Sequence, residues 1–289
     1  MTKILVGIDG SERGERALEW AVLHAEEEAT AAGKASELTL LTVLNSTRLQ
    51  GGLNEDLVKN AVEALLSQML QKLKEEHPLI KAESAVVKGS VVDCLADAAE
   101  THDMVVVGSH HGSTIGQTIG GARGLRVAIA VKVPTVVVPA DWNAANEGAG
   151  IVVAVGLDTV SDNAVNFGAE EAKRTKQPLK LVTAWGLPAF LNKPAEAMGG
   201  GLAPVGEQAQ QRLDARVEDI KVQNPTLEVS GAAIEGSSPT RVLMDCSKDT
   251  KALVLGTHSY TTLGRTLFGS VVHSVLLNLV VPTIVVPKG

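Results

Sequence analysis

One feature limits the fold of this chain more than any other: its second half repeats its first. Ile4-Leu5-Val6-Gly7-Ile8 reads again as Ile151-Val152-Val153-Ala154-Val155, and Ala17 answers Ala164, each pair 147 residues apart. His77-Pro78 and Asn224-Pro225 keep that separation, as do Gly89-Ser90 and Gly236-Ser237. After one inserted residue the separation becomes 148 and holds without a gap from Gly108/Gly256 through Gly121/Gly269 to Pro134/Pro282 and Pro139/Pro287. A period of this length marks a duplicated domain. The 289 residues are also about twice an ordinary domain length. We expect one domain over residues 1–140, a second over 151–289, and a polar, glycine-bearing linker from Asp141 to Gly150.

Each copy reads as strand, helix, strand, helix, strand, helix, strand, loop, helix, strand. In the first copy the expected strands run from Lys3 to Ile8, Leu38 to Leu44, Ile80 to Lys88, Met104 to Gly108 and Thr135 to Pro139. Helical stretches such as Glu12 to Thr30 and Glu55 to Glu76 separate them. That alternation requires parallel crossovers, hence two tandem doubly wound α/β domains, each with a five-stranded, mostly parallel sheet and helices on both faces. The core must be aliphatic, because 45% of residues are hydrophobic but only 2% are aromatic. Long loops are expected from Asn45 to Asn54 and from Gly186 to Gly206, at the carboxyl ends of strands where ligands sit in this architecture; a lid and a plain surface insertion both fit.

Several function classes lack support. A net charge of -7 with no basic run argues against a nucleic-acid surface. The start runs directly into a strand pattern, and the apolar stretch from Val275 to Val286 is broken by Asn278 and Pro282. With Cys94 and Cys246 the only cysteines, both in helical patterns and read as buried, a cytoplasmic setting is expected. His110, His111 and His258 lie in corresponding loops but have no carboxylate or Cys at ligand spacing, so no metal site is assigned. No Gly-x-Ser-x-Gly elbow follows a strand, and no catalytic residue is assigned. The charged residues from Asn54 to Glu76 and from Gln208 to Lys221 alternate with apolar ones as on a solvated helix face.

The chemistry concentrates in the loop between the fourth strand and the last helix. In the second copy Gly256 ends a strand, and Gly269-Ser270 then opens a helix near Val271. Free N–H groups at a helix start can hold an anion, and the Ser hydroxyl can either bond a phosphate or cap the helix. Spacing alone fits both. In the first copy Asp9-Gly10-Ser11 follows the first strand, where an Asp or Ser can equally cap the next helix.

These residues resemble the universal stress proteins, whose nucleotide-binding members carry Gly, two residues, Gly, nine residues, Gly, then Ser or Thr. Gly256, Gly269 and Ser270 fall in that register, with Ser259 in place of the second glycine. The first copy keeps Gly108 and Gly121 but has His111 for that glycine and Ala122 for the Ser, while Arg123 beside them offers a positive charge. The resemblance covers both repeats. It implies an adenine nucleotide alpha hydrolase-like fold that binds ATP or another adenine nucleotide, with or without Mg²⁺, as a regulatory ligand without clear turnover. By resemblance Asp9 approaches the ribose with Gly10 and Ser11 nearby, Val43 and Ala184 line the adenine pockets, and Val271 follows the phosphate-binding Ser270. Gly156 stands at the Asp position of the second copy, with Asp158 two residues on. The resemblance further implies that the last strands, Pro134 to Pro139 and Pro282 to Pro287, pair the two repeats internally, with a homodimer of chains as a further expectation. A nucleotide-free scaffold of the same fold is the alternative, and unequal sites follow from the unequal loops.

Overall fold

The computed structural model describes residues 2–33, 35–44, 54–109, 122–156, 162–186, 203–257, 260–262, 265–267 and 270–288. The chain divides into two compact units, Met1–Asn146 and Glu147–Gly289. Unit 1 contains β1 (Lys3–Gly7), α1 (Glu12–Ala32), β2 (Glu37–Leu44), α2 (Glu55–Glu76), β3 (Lys81–Lys88), α3 (Val91–Ala99), β4 (Met104–Gly108), α4 (Ala122–Ala130) and β5 (Thr135–Val138). Its strands lie in the order β3-β2-β1-β4-β5, every described pair parallel, with Ile4 opposite both Leu38 and Met104. The order reverses at β1 and β4. With right-handed crossovers, α1 and α2 cover one face, and α3 and α4, which pack on each other, cover the opposite one.

Unit 2 repeats the plan with β6 (Ile151–Ala154), α5 (Asp162–Thr175), β7 (Leu179–Trp185), α6 (Ala203–Gln223), β8 (Val229–Glu235), α7 (Pro239–Ser247), β9 (Ala252–Gly256), α8 (Ser270–Leu277) and β12 (Thr283–Val286). The order β8-β7-β6-β9-β12 matches unit 1 strand for strand. Between β9 and α8 the expected plain loop instead carries a short antiparallel pair, β10 (Tyr260–Thr262) and β11 (Arg265–Leu267). Thr261 and Thr262 have a β-branched preference for extended backbone.

The central strands are buried on both sides, so they read as continuous aliphatic runs rather than alternating ones. Ile4, Leu5 and Val6 of β1 and Leu253 and Val254 of β9 have no exposed surface. Each such side chain contributes about 1.5–3 kcal/mol by leaving water. The border strand β3 is different: Lys81, Glu83 and Lys88 are exposed, and charge on a bare edge discourages pairing with other chains.

Local chemistry sets the helix ends. The Ser11 hydroxyl accepts the Gly14 N–H at 3.4 Å to cap α1, which stops at Gly33 in the left-handed region (φ 62°). Asn54 caps α2 by accepting from the Asp56 N–H at 3.0 Å. The expected loop to Gly206 is shorter at its far end, because Ala203, Pro204, Val205 and Gly206 form the first turn of α6, where proline has no hydrogen bond to lose. Residues 187–202 and 45–53 lie outside the described part.

The segment expected as the linker, Asp141 to Gly150, is packed against both units in turn, its first part within unit 1 and its last within unit 2. Trp142 is buried, Ala144–Asn146 forms a 3₁₀ turn in unit 1, and in unit 2 the Ala149 N–H donates to the Asp249 carbonyl at 3.1 Å while Glu147 pairs with Lys251 at 2.6 Å. The apolar Trp and the absence of glycine before Gly148 are the physical reason. Cys94 and Cys246 sit in α3 and α7 as expected, yet both are half-buried rather than enclosed. No helix among the described residues is long and apolar enough to cross a membrane.

Candidate functional site

In unit 1 the backbone leaves β1 through Ile8, whose N–H donates to the Leu41 carbonyl at 2.9 Å and whose carbonyl accepts the Thr42 hydroxyl at 3.0 Å. These bonds fix Asp9 at the point where the sheet order reverses. Gly10 turns the chain with φ 73°, a conformation that costs an L side chain roughly 1–2 kcal/mol. The Asp9 carboxylate then accepts the Ser11 N–H at 3.1 Å and also the Ser11 hydroxyl. Capping and site-lining are therefore not alternatives here. Ser11 caps α1 while Asp9, exposed, faces the cleft above it.

The cleft lies between the carboxyl ends of β1 and β4, the position where doubly wound sheets bind ligands. Gly7, Ile8, Asp9, Arg13 and Gly14 form one wall and Leu41 with Val43 of β2 another. Val91 and Leu95 of α3, Val107 and Gly108 of β4, and Gly124 and Val127 of α4 close the remainder. Among the described residues the lining is mostly aliphatic, with one carboxylate and one arginine. Gly108 is required by packing: a Cβ there would sit 2.4 Å from the Arg13 carbonyl oxygen and 3.0 Å from the Arg13 Cβ. The end of β4 thus lies directly against the first turn of α1. Gly14 allows a similar approach, since a Cβ at that position would come 3.1 Å from Asp9 Oδ1.

The sequence-derived candidates of the first copy divide by location. Asp9, Val43 and Gly108, distant in the chain, line one cleft, with Gly10 and Ser11 in the turn beside it. Ala122 opens α4, whereas Gly121 and His111 lie outside the described residues, as does the side chain of Arg123. Sequence reading overlooked Arg13. The available signal was its place four residues after Asp9, in the first turn of α1.

Unit 2 preserves the backbone of this arrangement with different side chains. The Val155 N–H donates to the Val182 carbonyl at 2.9 Å, as Ile8 does to Leu41, but exposed Gly156 follows where Asp9 stands in unit 1. Ala184 is half-buried on β7 opposite Ile234, in the place Val43 takes opposite Val87 on β2. Gly256 ends β9, and the Thr257 N–H prolongs the ladder to the Val286 carbonyl at 3.0 Å, as Ser109 does to Val138 at 2.8 Å. Ser270 is the exposed first residue of α8 and Val271 is half-buried behind it. Asp158, Ser259 and Gly269 lie outside the described residues.

Other chemistries find no support from geometry. Among the described residues no three His, Cys, Asp or Glu side chains converge as a metal site would need; His110 and His258 are not among them. Cys94 Sγ lies 3.6 Å from the Lys88 carbonyl, and burial, with help from Asp97 and Asp93, raises its pKa above the ordinary thiol value. A thiol held neutral is a poor nucleophile.

Comparison with known proteins agrees with the duplicated plan. The family model described as "Universal stress protein family" matches residues 1–139 and again 150–287. A universal stress protein of Mycolicibacterium smegmatis is 25% identical, over 98% of this chain and 96% of its own. One from Mycobacterium tuberculosis is likewise 25% identical with the same coverage. Among solved structures, a universal stress protein from Archaeoglobus fulgidus superposes with a TM-score of 0.75 at 20% identity, covering 99% of this chain and 96% of its own. That last likeness concerns the fold.

Proposed function

The chain belongs to the universal stress protein family, and from that premise we propose that it is a regulatory protein that takes an adenine nucleotide, ATP or a close relative, in the cleft of unit 1 and does not turn it over. The observation that carries this reading is the convergence of Asp9, Val43 and Gly108 on one cleft at the reversal of the strand order. Val43 and Leu41 offer an aliphatic surface for a flat base, and Asp9 offers a carboxylate acceptor for ribose hydroxyls. The glycine at 108 lets the end of β4 close against the first turn of α1, which brings Asp9 and Arg13 to the same cleft. Mg²⁺ would be carried by the nucleotide's own phosphates rather than held by a protein cage.

Calorimetric titration of the full chain with ATP and AMP, first without metal and then with Mg²⁺, tests the reading. We expect saturable binding and a rise in melting temperature, since a ligand that binds only the folded state stabilises it by mass action. Neither heat nor a melting shift at millimolar nucleotide would overturn it. Phosphate release at more than a trace rate would overturn the absence of turnover.

A second reading has one observation in its favour. Gly156 replaces the carboxylate in unit 2, so that unit would serve as a scaffold for unit 1 or for a partner. Under this reading saturation occurs at one nucleotide per chain.

A further inference from the structure

Among the described residues Arg13 is the one cationic side chain that lines the cleft of unit 1, and it stands in an electrostatically unfavourable place. Arg13 occupies the first turn of α1, where the aligned peptide dipoles already present partial positive charge and a cation is destabilising by a few tenths to about 1 kcal/mol. Among the described residues no ion pair or side-chain hydrogen bond engages it. Arg16, one turn-face away, is paired with Glu19 at 2.9 Å, so α1 has acids available but leaves Arg13 unmatched. The Arg13 Cβ is held at the end of β4 by the close approach of Gly108, where the strand hands over to the next connection. An unmatched arginine rooted at one end of an aliphatic cleft that Asp9 also lines is a recognition pattern for a ligand that carries an anion at one end and hydroxyls near it.

Resting on the nucleotide reading of this cleft, we propose that Arg13 is its anion-recognising residue: the guanidinium takes a phosphate of the nucleotide, so the site selects phosphorylated adenosine over the bare nucleoside. The planar fork of Arg suits two phosphate oxygens at once, and the α1 dipole adds to the same attraction. The bound phosphate in turn neutralises the charge that the first turn of the helix carries at a cost. Arg13 supplies from the α1 wall a contact that Ala122, lacking a hydroxyl, cannot supply from the α4 wall. In unit 2 the residue in register with Arg13 is Val160, which carries no charge, so phosphate selection by this device belongs to unit 1 alone.

The test titrates the full chain with adenosine, AMP and ATP, as wild type and as Arg13→Gln and Arg13→Lys. Wild type is expected to bind AMP and ATP at least tenfold more tightly than adenosine. Arg13→Gln is expected to weaken ATP by about 10-fold to 100-fold, the loss of one charge-assisted contact, with adenosine affinity unchanged. Arg13→Lys should recover part of that loss. Added salt should weaken ATP binding more in wild type than in Arg13→Gln. The unliganded melting temperature of Arg13→Gln should equal or exceed that of wild type, which a merely structural role would not allow. ATP affinity within twofold of wild type in Arg13→Gln, with adenosine still bound, overturns the proposal and leaves the nucleotide reading standing. Failure of wild type to bind any of the three overturns both.

Discussion

The two units share a backbone plan and differ in what they place on it. The clearest case is a pair of buried positions one register apart in the repeat, His24 on α1 and Glu171 on α5. Both are nearly enclosed, at 5% and 6% exposure. Unit 1 accommodates the ionisable group by stacking His24 on Trp20 with ring centroids 4.8 Å apart, whereas unit 2 pairs Glu171 with Arg174, whose Nε donates at 3.2 Å. Arg174 is in register with Glu27, so even the sign of the charge has been exchanged. The same scaffold position tolerates either solution because the constraint is enclosure, not identity. The ligand cleft shows the same freedom, with Asp9 and Arg13 in unit 1 against Gly156 and Val160 in unit 2.

The largest expected effect breaks the buried pair. Arg174→Ala removes a charged partner from an enclosed carboxylate and should destabilise unit 2 by about 3 kcal/mol. Hydrogen exchange on the full chain should show the loss confined to α5 and the strands it covers. Equal loss in both units would mean that the units do not unfold separately. Next, Gly108→Ala forces a Cβ against the Arg13 carbonyl and should cost about 1–3 kcal/mol in unit 1 by overpacking, read as a lower urea midpoint. An unchanged midpoint would contradict the close approach.

The cleft itself is probed by Ser11→Ala, which removes the α1 cap and should cost about 1 kcal/mol. Loosened Asp9 should then weaken nucleotide binding as well, a coupling that the Gly156 turn of unit 2 cannot show. Stability lost without any change in affinity would separate capping from binding. The smallest effect is on titration. The hydrogen bond from Lys248, with its charge, holds the exposed Asp245 carboxyl below its ordinary value, so what this pair contributes is present above the unfolded pKa and lost as pH falls through the folded one. Lys248→Met should return that carboxyl towards the usual carboxylate range in an NMR titration, with melting at neutral pH almost unmoved. Glu100, which ends α3 as Lys248 ends α7, carries the opposite charge in unit 1.

These contrasts also mark how far the sequence could be read. The five strands of each copy and their parallel pairing follow from the alternation of aliphatic runs with helical periods, because central strands such as Ile4 to Val6 have few other ways to be buried; the strand order, with its reversal at β1 and β4, is seen only in the structure. Asp9, Val43 and Gly108 were legible through resemblance and do meet in one cleft. The hairpin of β10 and β11 was not, since three-residue strands leave almost no periodicity to detect. Nor was Arg13: a single cation in an otherwise acidic first turn looks like solvated surface until Gly108 is seen against its backbone. The packing of the linker was hidden for a related reason, as neither Trp142 nor the Glu147–Lys251 pair stands out among its polar residues.

The contact between Gly108 and the first turn of α1 bears on how such sites are lost. A side chain at 108 would collide with main chain that cannot step aside, so selection for folding alone keeps that glycine whether or not any nucleotide is ever bound. Position 122 carries a methyl where the family pattern has a hydroxyl, an exchange that removes a polar contact rather than main-chain packing. Decay of a nucleotide site in this architecture should therefore run in a fixed order, polar contacts first and strand-end glycine last. A retained Gly108 is thus a record of folding, and the question of function passes to the residues that folding leaves free to vary.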